Sequence, residues 1–448
     1  MSALAFSATL AALLSDWVCS ELFMGRDTVA NVCLALLLNA TLVGLLLMTA
    51  LRLTSARVAV ATLRLAALVG FSALIFQSLR ADASPGQALP FAAKAGGAMV
   101  VVLLAVYAVR RLPENIAKRL TNAVMFASFA FIASPFVLRT FEHHRVNWMP
   151  APGVVAPTVP GRRAVMFLLL DELGHPAAAP LAQALRDAGL NVSYQSLTPI
   201  GANTLNVIPA MFARRAFDQA RPCGMSTLCD GAYSLDFSLI RAGRPDIDVT
   251  GLLHPYCDIE GLRSCYRLAL PHEYGNAYTS LLAFYARRLG LSLPKAMMPP
   301  PFPDGFQGQL VARQVAFVDT APFWREGGVM YAHLGIPHPP GQGGVTTLDR
   351  DYASNIDTGR VLLSRWAGRL RAEFGENFSL VVTSDHPLRG YWCNSGVYKL
   401  ADCKTRSEFQ TDLVPLIVAS PTRAAEPTIQ SNVAVFDVLR EQVQRVLR

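Results

Sequence analysis

Charge is scarce in this chain. Only 16% of its 448 residues are Asp, Glu, Lys or Arg, against 52% hydrophobic residues. That balance is too apolar for one ordinary soluble domain. The net charge is +8, yet the basic residues form no stripe of the kind that tracks a nucleic acid. Many of them close apolar runs instead, as Arg52, Arg57, Arg110, Arg111, Lys118 and Arg119 do, so no nucleic-acid partner is expected. No internal repeat is present, which excludes a solenoid or propeller. No CxxC spacing occurs, which argues against a structural zinc cluster of cysteines. No basic segment precedes the first apolar run, so a cleaved signal peptide fits poorly.

The apolar excess is concentrated before Leu138. Five windows of about twenty residues, near 3–23, 29–51, 58–79, 90–109 and 119–138, are long enough to cross a hydrocarbon core. Asp16 and Glu21 interrupt the first. The basic loops after the second and fourth windows belong on the cytoplasmic side, so everything past residue 140 is expected outside. The reading is a transmembrane helical anchor over 1–140, a Pro-rich linker over 141–163 and an α/β domain over 164–448. In a bacterium this is a multi-pass inner-membrane protein with its catalytic domain in the periplasm. Cys19 and Cys33 fall in the apolar windows, and the other six cysteines form close pairs: Cys223/Cys229, Cys257/Cys265 and Cys393/Cys403. Closely spaced pairs on one side of a membrane predict three local disulfides in an oxidising compartment.

Beyond the linker, "AVMFLLL" (164–170) reads as a central strand buried on both faces. Residues 178–188 have helical spacing closed by Gly189, and "NVSYQSL" (191–197) is a second strand. The alternation continues with a helix near 272–288, a strand near 328–333, a long helix near 348–374, strands at 378–384 and 413–418, and a final helix near 431–447. "MMPPPFPDG" (297–305) reads as a surface loop. Strands alternating with helices predict an α/β sandwich on a mostly parallel sheet.

Sites in such sheets lie at the carboxyl ends of strands, which selects four candidates. "LLLDELGH" puts Asp171 and Glu172 at the first exit. "TPIGANTLNVIPAMF" puts Thr204 where a helix starts, a position for an N-cap and equally for phosphate. "MYAHLGIPHPPG" carries His333 and His338, and "SLVVTS" ends on Asp385-His386. Carboxylates with imidazole suit a zinc ion, which lowers the pKa of a bound hydroxyl and polarises a phosphoryl oxygen. His143-His144 are assigned to the membrane interface, and His254 and His272 to surface or structural positions. His175 is read in the same way, although it follows the acidic pair closely enough for a supporting role to be the alternative.

These motifs, in this order, resemble the alkaline phosphatase/sulfatase superfamily, most closely its membrane-anchored phosphoethanolamine transferase and lipoteichoic-acid-synthase-like branch. The resemblance covers about residues 164–420. It implies a zinc ion held by Asp171 or Glu172, by a nucleophilic Thr204 five residues before Pro209-Ala210-Met211-Phe212, and by Asp385 and His386 of "SDHP". "HLGIPHPP" resembles the branch's substrate-side histidine motif, giving His333 and His338 the phosphate oxygens or the leaving group. Tyr352, Asn355 and Asp357 match a segment that packs and positions. No C/S-x-P-x-R element is present, which disfavours sulfate ester cleavage. A histidine expected about a dozen residues after Asp385-His386 is missing, with Tyr398 and Leu400 standing in "GVYKLADC" there. One main zinc site is therefore expected, with the second in question and Arg389 as an alternative phosphate contact.

The expected activity is transfer of a phospholipid head group, phosphoethanolamine or similar, through phosphothreonine to an envelope lipid or glycan acceptor. The alternatives are a phosphodiesterase or phosphatase of the same fold, or a catalytically weak glycan-binding scaffold subunit.

Overall fold

The computed structural model describes residues 161–218, 306–390, 411–422 and 427–447. It also describes 147–148, 220–222, 227–231, 233–237, 246–259, 261–267, 280–281 and the single positions 392, 398 and 409. The five expected membrane helices, the helix near 272–288 apart from residues 280 and 281, the loop at 297–305, and Cys223, Cys393 and Cys403 lie outside the described residues. Among the described residues, no helix is long and apolar enough to cross a membrane.

The strands are β1 (Asn147–Trp148), β2 (Ala164–Leu170), β3 (Asn191–Leu197), β4 (Arg221–Pro222), β5 (Thr227–Asp230), β6 (Tyr233–Asp236), β7 (Ile247–Gly251), β8 (Ser264–Arg267), β9 (Gly328–Leu334), β10 (Phe378–Thr383) and β11 (Val414–Ser420). The helices are α1 (Ala179–Asp187), α2 (Thr204–Ala213), α3 (Phe306–Thr320), α4 (Phe323–Glu326), α5 (Leu348–Phe374) and α6 (Val435–Leu447). Eight strands form one sheet in the order β1-β8-β7-β9-β2-β10-β11-β3, and β4-β5-β6 form a small antiparallel sheet. The pairs from β8 through β7, β9 and β2 to β10 are parallel, whereas β1–β8, β10–β11 and β11–β3 are antiparallel.

The side chains of β2 explain why it is continuously apolar. Ala164, Met166, Leu168 and Leu170 enter a core built with α1, α3, α4 and α5, among them Leu185, Phe317, Phe323 and Trp366. Val165, Phe167 and Leu169 enter a second core with Val207, Met211, Phe212, Phe436 and Leu439 of α2 and α6. A strand covered on both faces has no polar face to alternate with. The mixed composition of β3 fits its place at the sheet edge, where its residues are half-exposed.

The expected strands at 164–170, 191–197, 328–333, 378–384 and 413–418 and the helices at 178–188, 348–374 and 431–447 are present within a few residues. The last helix is preceded by a 3-10 turn at Asn432–Ala434. The sequence reading missed β7, β8 and α3. Strand β7 has Asp248 as its second residue, buried and satisfied by Ser264 at 2.6 Å and by the guanidinium of Arg263, so its apolar run is broken. In α3, buried Gln307 and Gln314 blur the helical stripe. Part of the linker is also structured: Asn147 and Trp148 pair with Tyr266 and Cys265, adding β1 at the sheet edge.

Register sets the site. His333 of β9 pairs with Leu169 of β2, and Thr383 of β10 pairs with the same residue from the other side. The Asp171 amide then donates to the Leu334 carbonyl at 3.0 Å. Three strand exits therefore end side by side, carrying Asp171-Glu172, His333 to His338 and Asp385-His386.

Candidate metal centre

The first exit separates the two acidic residues that the sequence left as alternatives. Asp171 faces the cluster: its Oδ1 accepts from the Thr204 hydroxyl at 3.5 Å and lies 3.9 Å from His386 Nε2. Glu172 turns the other way. Its backbone has φ +65, the left-handed region that non-glycine residues rarely enter. Its amide donates to Asp385 Oδ1 at 3.3 Å, and its carbonyl accepts from the Tyr352 hydroxyl at 2.6 Å. Its buried carboxylate is held by the Arg389 guanidinium on one oxygen and by Trp392 Nε1, at 2.7 Å, on the other. Of the two, Asp171 joins the cluster, and Glu172 is committed to Arg389 and Trp392.

At the third exit, Asp385 Oδ1 accepts from the His386 amide at 2.8 Å as well as from Glu172. Its other oxygen, Oδ2, is buried, lies 3.2 Å from His386 Nε2 and has no hydrogen-bond donor among the described residues. The His386 Nδ1 lies 3.0 Å from the Pro387 carbonyl. A carbonyl only accepts, so Nδ1 carries the proton and Nε2 presents a lone pair to the cluster. The ligand atoms of Asp171, Asp385 and His386 all lie within 4.8 Å of one another. Two carboxylates and an imidazole lone pair, buried and converging with an acceptor oxygen left without a donor, fit a divalent cation. These three residues can hold a metal ion.

Thr204 completes the group. The sequence allowed it as the helix cap, but that task falls to Asn203, whose side chain accepts from the Leu205 amide at 3.0 Å. Thr204 is the first residue inside α2, its hydroxyl is not consumed by capping, and it lies 3.1 Å from His386 Nε2. The loop before it is tied to the third exit by Asn432, which accepts from the Ile200 amide at 2.9 Å and donates to the Asp385 carbonyl at 2.7 Å.

The second exit supplies the histidines. His333 is fully buried, its Nδ1 sits 3.2 Å from the Tyr256 hydroxyl, and its Nε2 has no hydrogen-bond partner among the described residues. His338 Nδ1 contacts the Pro339 carbonyl at 2.5 Å, which fixes the proton there, and its Nε2 faces Arg389 at 3.4 Å. Its ring packs edge-on against Trp392 at 5.0 Å. Asn355 holds this loop by donating to the carbonyls of Pro337, His338 and Pro340 at 3.4, 3.0 and 3.1 Å. Gln314 donates to the His333 carbonyl at 2.7 Å. Tyr352 and Asn355 thus position the site, as expected, while Asp357 pairs with Arg360 at the surface.

The structure also places the two remaining described histidines. His254, expected at the surface or in a structural place, is fully buried, and its Nε2 donates to the Thr204 carbonyl at 3.2 Å. It follows β7, so missing that strand hid another exit. His175 does not reach the cluster: it stacks on Tyr194 at 4.6 Å. Trp392 and Asn432 were also missed. Neither follows a strand directly, and no local signal marks them. Cys257 and Cys265 form the expected disulfide. Cys229 is disulfide-bonded too, to a partner outside the described residues.

Burial dominates the electrostatics. It pushes the Asp171 carboxyl well above its usual range, and the charge of Asp385 adds to that. Burial also opposes ionisation of Asp385, but His386, His333 and hydrogen bonds outweigh it and hold this carboxyl at about 2. Burial lowers His333 to about 4 and His254 to about 3, and lowers His338 too. These three imidazoles are neutral at pH 7.

Fold and site together define a mixed-sheet α/β sandwich with an acidic-imidazole cluster and a threonine hydroxyl at the carboxyl ends of its central strands. No family model and no curated protein matches the chain. Among solved structures it is similar to the phosphonate monoester hydrolase of Agrobacterium radiobacter, at 13% identity over 64% of this chain and 74% of that one, with a TM-score of 0.38. It is similar to the C-terminal periplasmic domain of EcEptC from Escherichia coli, in complex with zinc, at 10% identity over 64% and 86%, with a TM-score of 0.33. A third is the integral membrane protein lipooligosaccharide phosphoethanolamine transferase A from Neisseria meningitidis, at 11% identity over 92% and 72%, with a TM-score of 0.32.

Proposed function

We propose that this chain is a zinc-dependent phosphotransferase that moves a phospholipid head group, phosphoethanolamine or a similar group, onto an envelope lipid or glycan. The observation that carries this reading is the position of the Thr204 hydroxyl, relieved of capping and directed at a buried Asp171, Asp385 and His386 cluster. A zinc ion held by those three residues would lower the pKa of the hydroxyl and polarise a phosphoryl oxygen.

Thr204 Oγ1 attacks phosphorus as the bond to the diacylglycerol oxygen breaks, and the Thr204 proton passes by way of Asp171 to that oxygen, so diacylglycerol leaves as the alcohol. The acceptor hydroxyl then attacks the same phosphorus, and its proton returns by way of Asp171 to Thr204 Oγ1 as the phosphorus–Oγ1 bond breaks. His333, neutral at pH 7, donates from Nε2 to a phosphate oxygen or the leaving oxygen, and His338, whose proton lies on Nδ1, accepts from Arg389 through Nε2 and so holds that cation beside the phosphate. Tyr256 keeps its proton, because burial raises its pKa. When it donates to His333 Nδ1, the Nε2–H of His333 is turned toward the site. His254 ties the first turn of α2 through the Thr204 carbonyl, holding the nucleophile in register. The Cys257–Cys265 disulfide supports an oxidising compartment. An anchor over residues 1–140 would keep the domain beside a lipid donor.

Peptide mass spectrometry after incubation with phosphatidylethanolamine tests the assignment. The wild type should carry phosphoethanolamine on Thr204, and a Thr204→Ala chain should carry none while keeping its zinc. Modification of Thr204→Ala elsewhere, with activity retained, would sink the nucleophile. Free phosphoethanolamine without a modified acceptor would instead make the enzyme a hydrolase.

A further inference from the structure

Arg389 lies at the rim of the cluster, and its surroundings are those of a fixed cation rather than a loose surface arginine. Its Nε donates to Glu172 and a terminal nitrogen faces His338 Nε2 at 3.4 Å. The two members of the ion pair differ in exposure: the Glu172 side chain is 0% exposed and that of Arg389 is 23% exposed. The cation is therefore the member that meets solvent, with the carboxylate behind it. Glu172 cannot follow a moving partner. Its second oxygen is held by Trp392, its amide by Asp385 and its carbonyl by Tyr352, in a strained backbone conformation that these contacts maintain.

A buried carboxylate needs a partner, and Arg389 supplies one. That need alone does not account for the cation being on the open side, against the histidine loop. An arginine's planar fork matches the paired oxygens of a phosphate group better than any other side chain.

We propose that Arg389 binds the non-bridging oxygens of a phosphodiester seated at Thr204, with Glu172, Trp392 and His338 holding its guanidinium in position. This rests on the phosphotransferase reading above and adds to it a specificity for anionic tetrahedral groups. The ligand class is a phosphate mono- or diester, and inorganic phosphate is its smallest probe.

The test is a calorimetric titration of inorganic phosphate into the full-length, zinc-loaded chain. Removing Arg389 alone would strand Glu172, so the informative variant is the neutral pair Glu172→Gln with Arg389→Gln. Loss of a charged hydrogen bond predicts about 10- to 100-fold weaker phosphate binding in that pair, with zinc stoichiometry unchanged. Glu172→Gln alone, which keeps the cation and an acceptor oxygen for it, should lose less phosphate affinity than the double variant; an equal loss in both would show that the charge of Arg389 makes no contact with the phosphate, and the inference falls. If the double variant binds phosphate as tightly as the wild type, Arg389 only neutralises Glu172 and the inference falls while the phosphotransferase reading stands. If the double variant loses zinc, Arg389 is a support of the metal cluster and the inference also falls. If the zinc-loaded wild type binds no phosphate, both fall together.

Discussion

Replacing Asp171 by Asn separates what the acidic cluster costs from what it is for. The ligand atoms of Asp171, Asp385 and His386 lie within 4.8 Å of one another. At that spacing and an effective dielectric of 20, two carboxylates repel by about 3 kcal/mol. The metal-free fold meets this cost either as repulsion or as a proton held on Asp171, whose pKa is raised by burial and then by Asp385. Asparagine keeps the size and removes the charge. The metal-free Asp171→Asn chain should therefore be more stable than wild type by about 1–3 kcal/mol, a rise in Tm of roughly 2–4 °C per kcal/mol for a domain of this size. Zinc should act in the opposite sense. At a hundred times Kd it stabilises the wild type by about 2.7 kcal/mol, and Asp171→Asn should lose most of that shift. The assay is thermal unfolding of the chelator-stripped, full-length chain in detergent, with and without zinc. A metal-free variant less stable than wild type, or an equal zinc shift in both, would refute the reasoning.

The buried histidines set a pH dependence. His254 and His333 titrate at about 3 and about 4 in the fold, below the ordinary imidazole value, so on unfolding both gain protons as pH drops below about 6.5. Their contribution is whole above that value and falls with pH toward 4, by about 2 kcal/mol each at pH 5. Urea denaturation in the Asp171→Asn background, where the opposing titration of that carboxyl is removed, should show the loss; a flat profile from pH 7 to 5 would contradict it. Asn355→Ala removes the donor to three loop carbonyls and should cost about 2–3 kcal/mol of stability. Its zinc stoichiometry should be unchanged, and loss of zinc would show the loop to be part of the metal cluster.

Much of the site can be read from single strands. "AVMFLLL" announces a doubly covered strand, and the polar residues after it and after "SLVVTS" mark exits of the kind where sites form. Asp171, Thr204, His333, Asp385 and His386 follow from that rule alone, because a strand's own pattern tells where it ends. The sequence could not separate Asp171 from Glu172, adjacent residues of equal chemistry. The choice depends on the left-handed turn at Glu172 and on Arg389 and Trp392, which stand more than two hundred residues downstream. Nor could it show that Asn203, not Thr204, caps α2, since either type serves that position. His254 stayed hidden because Asp248 interrupts its strand, and the reason that aspartate is tolerated, its pairing with Arg263 and Ser264, exists only across the sheet. Local pattern determined the central strands, the long helices and the residue types at their exits. Only tertiary structure decided which exits share one point in space, because strand order and register are set by contacts between distant segments.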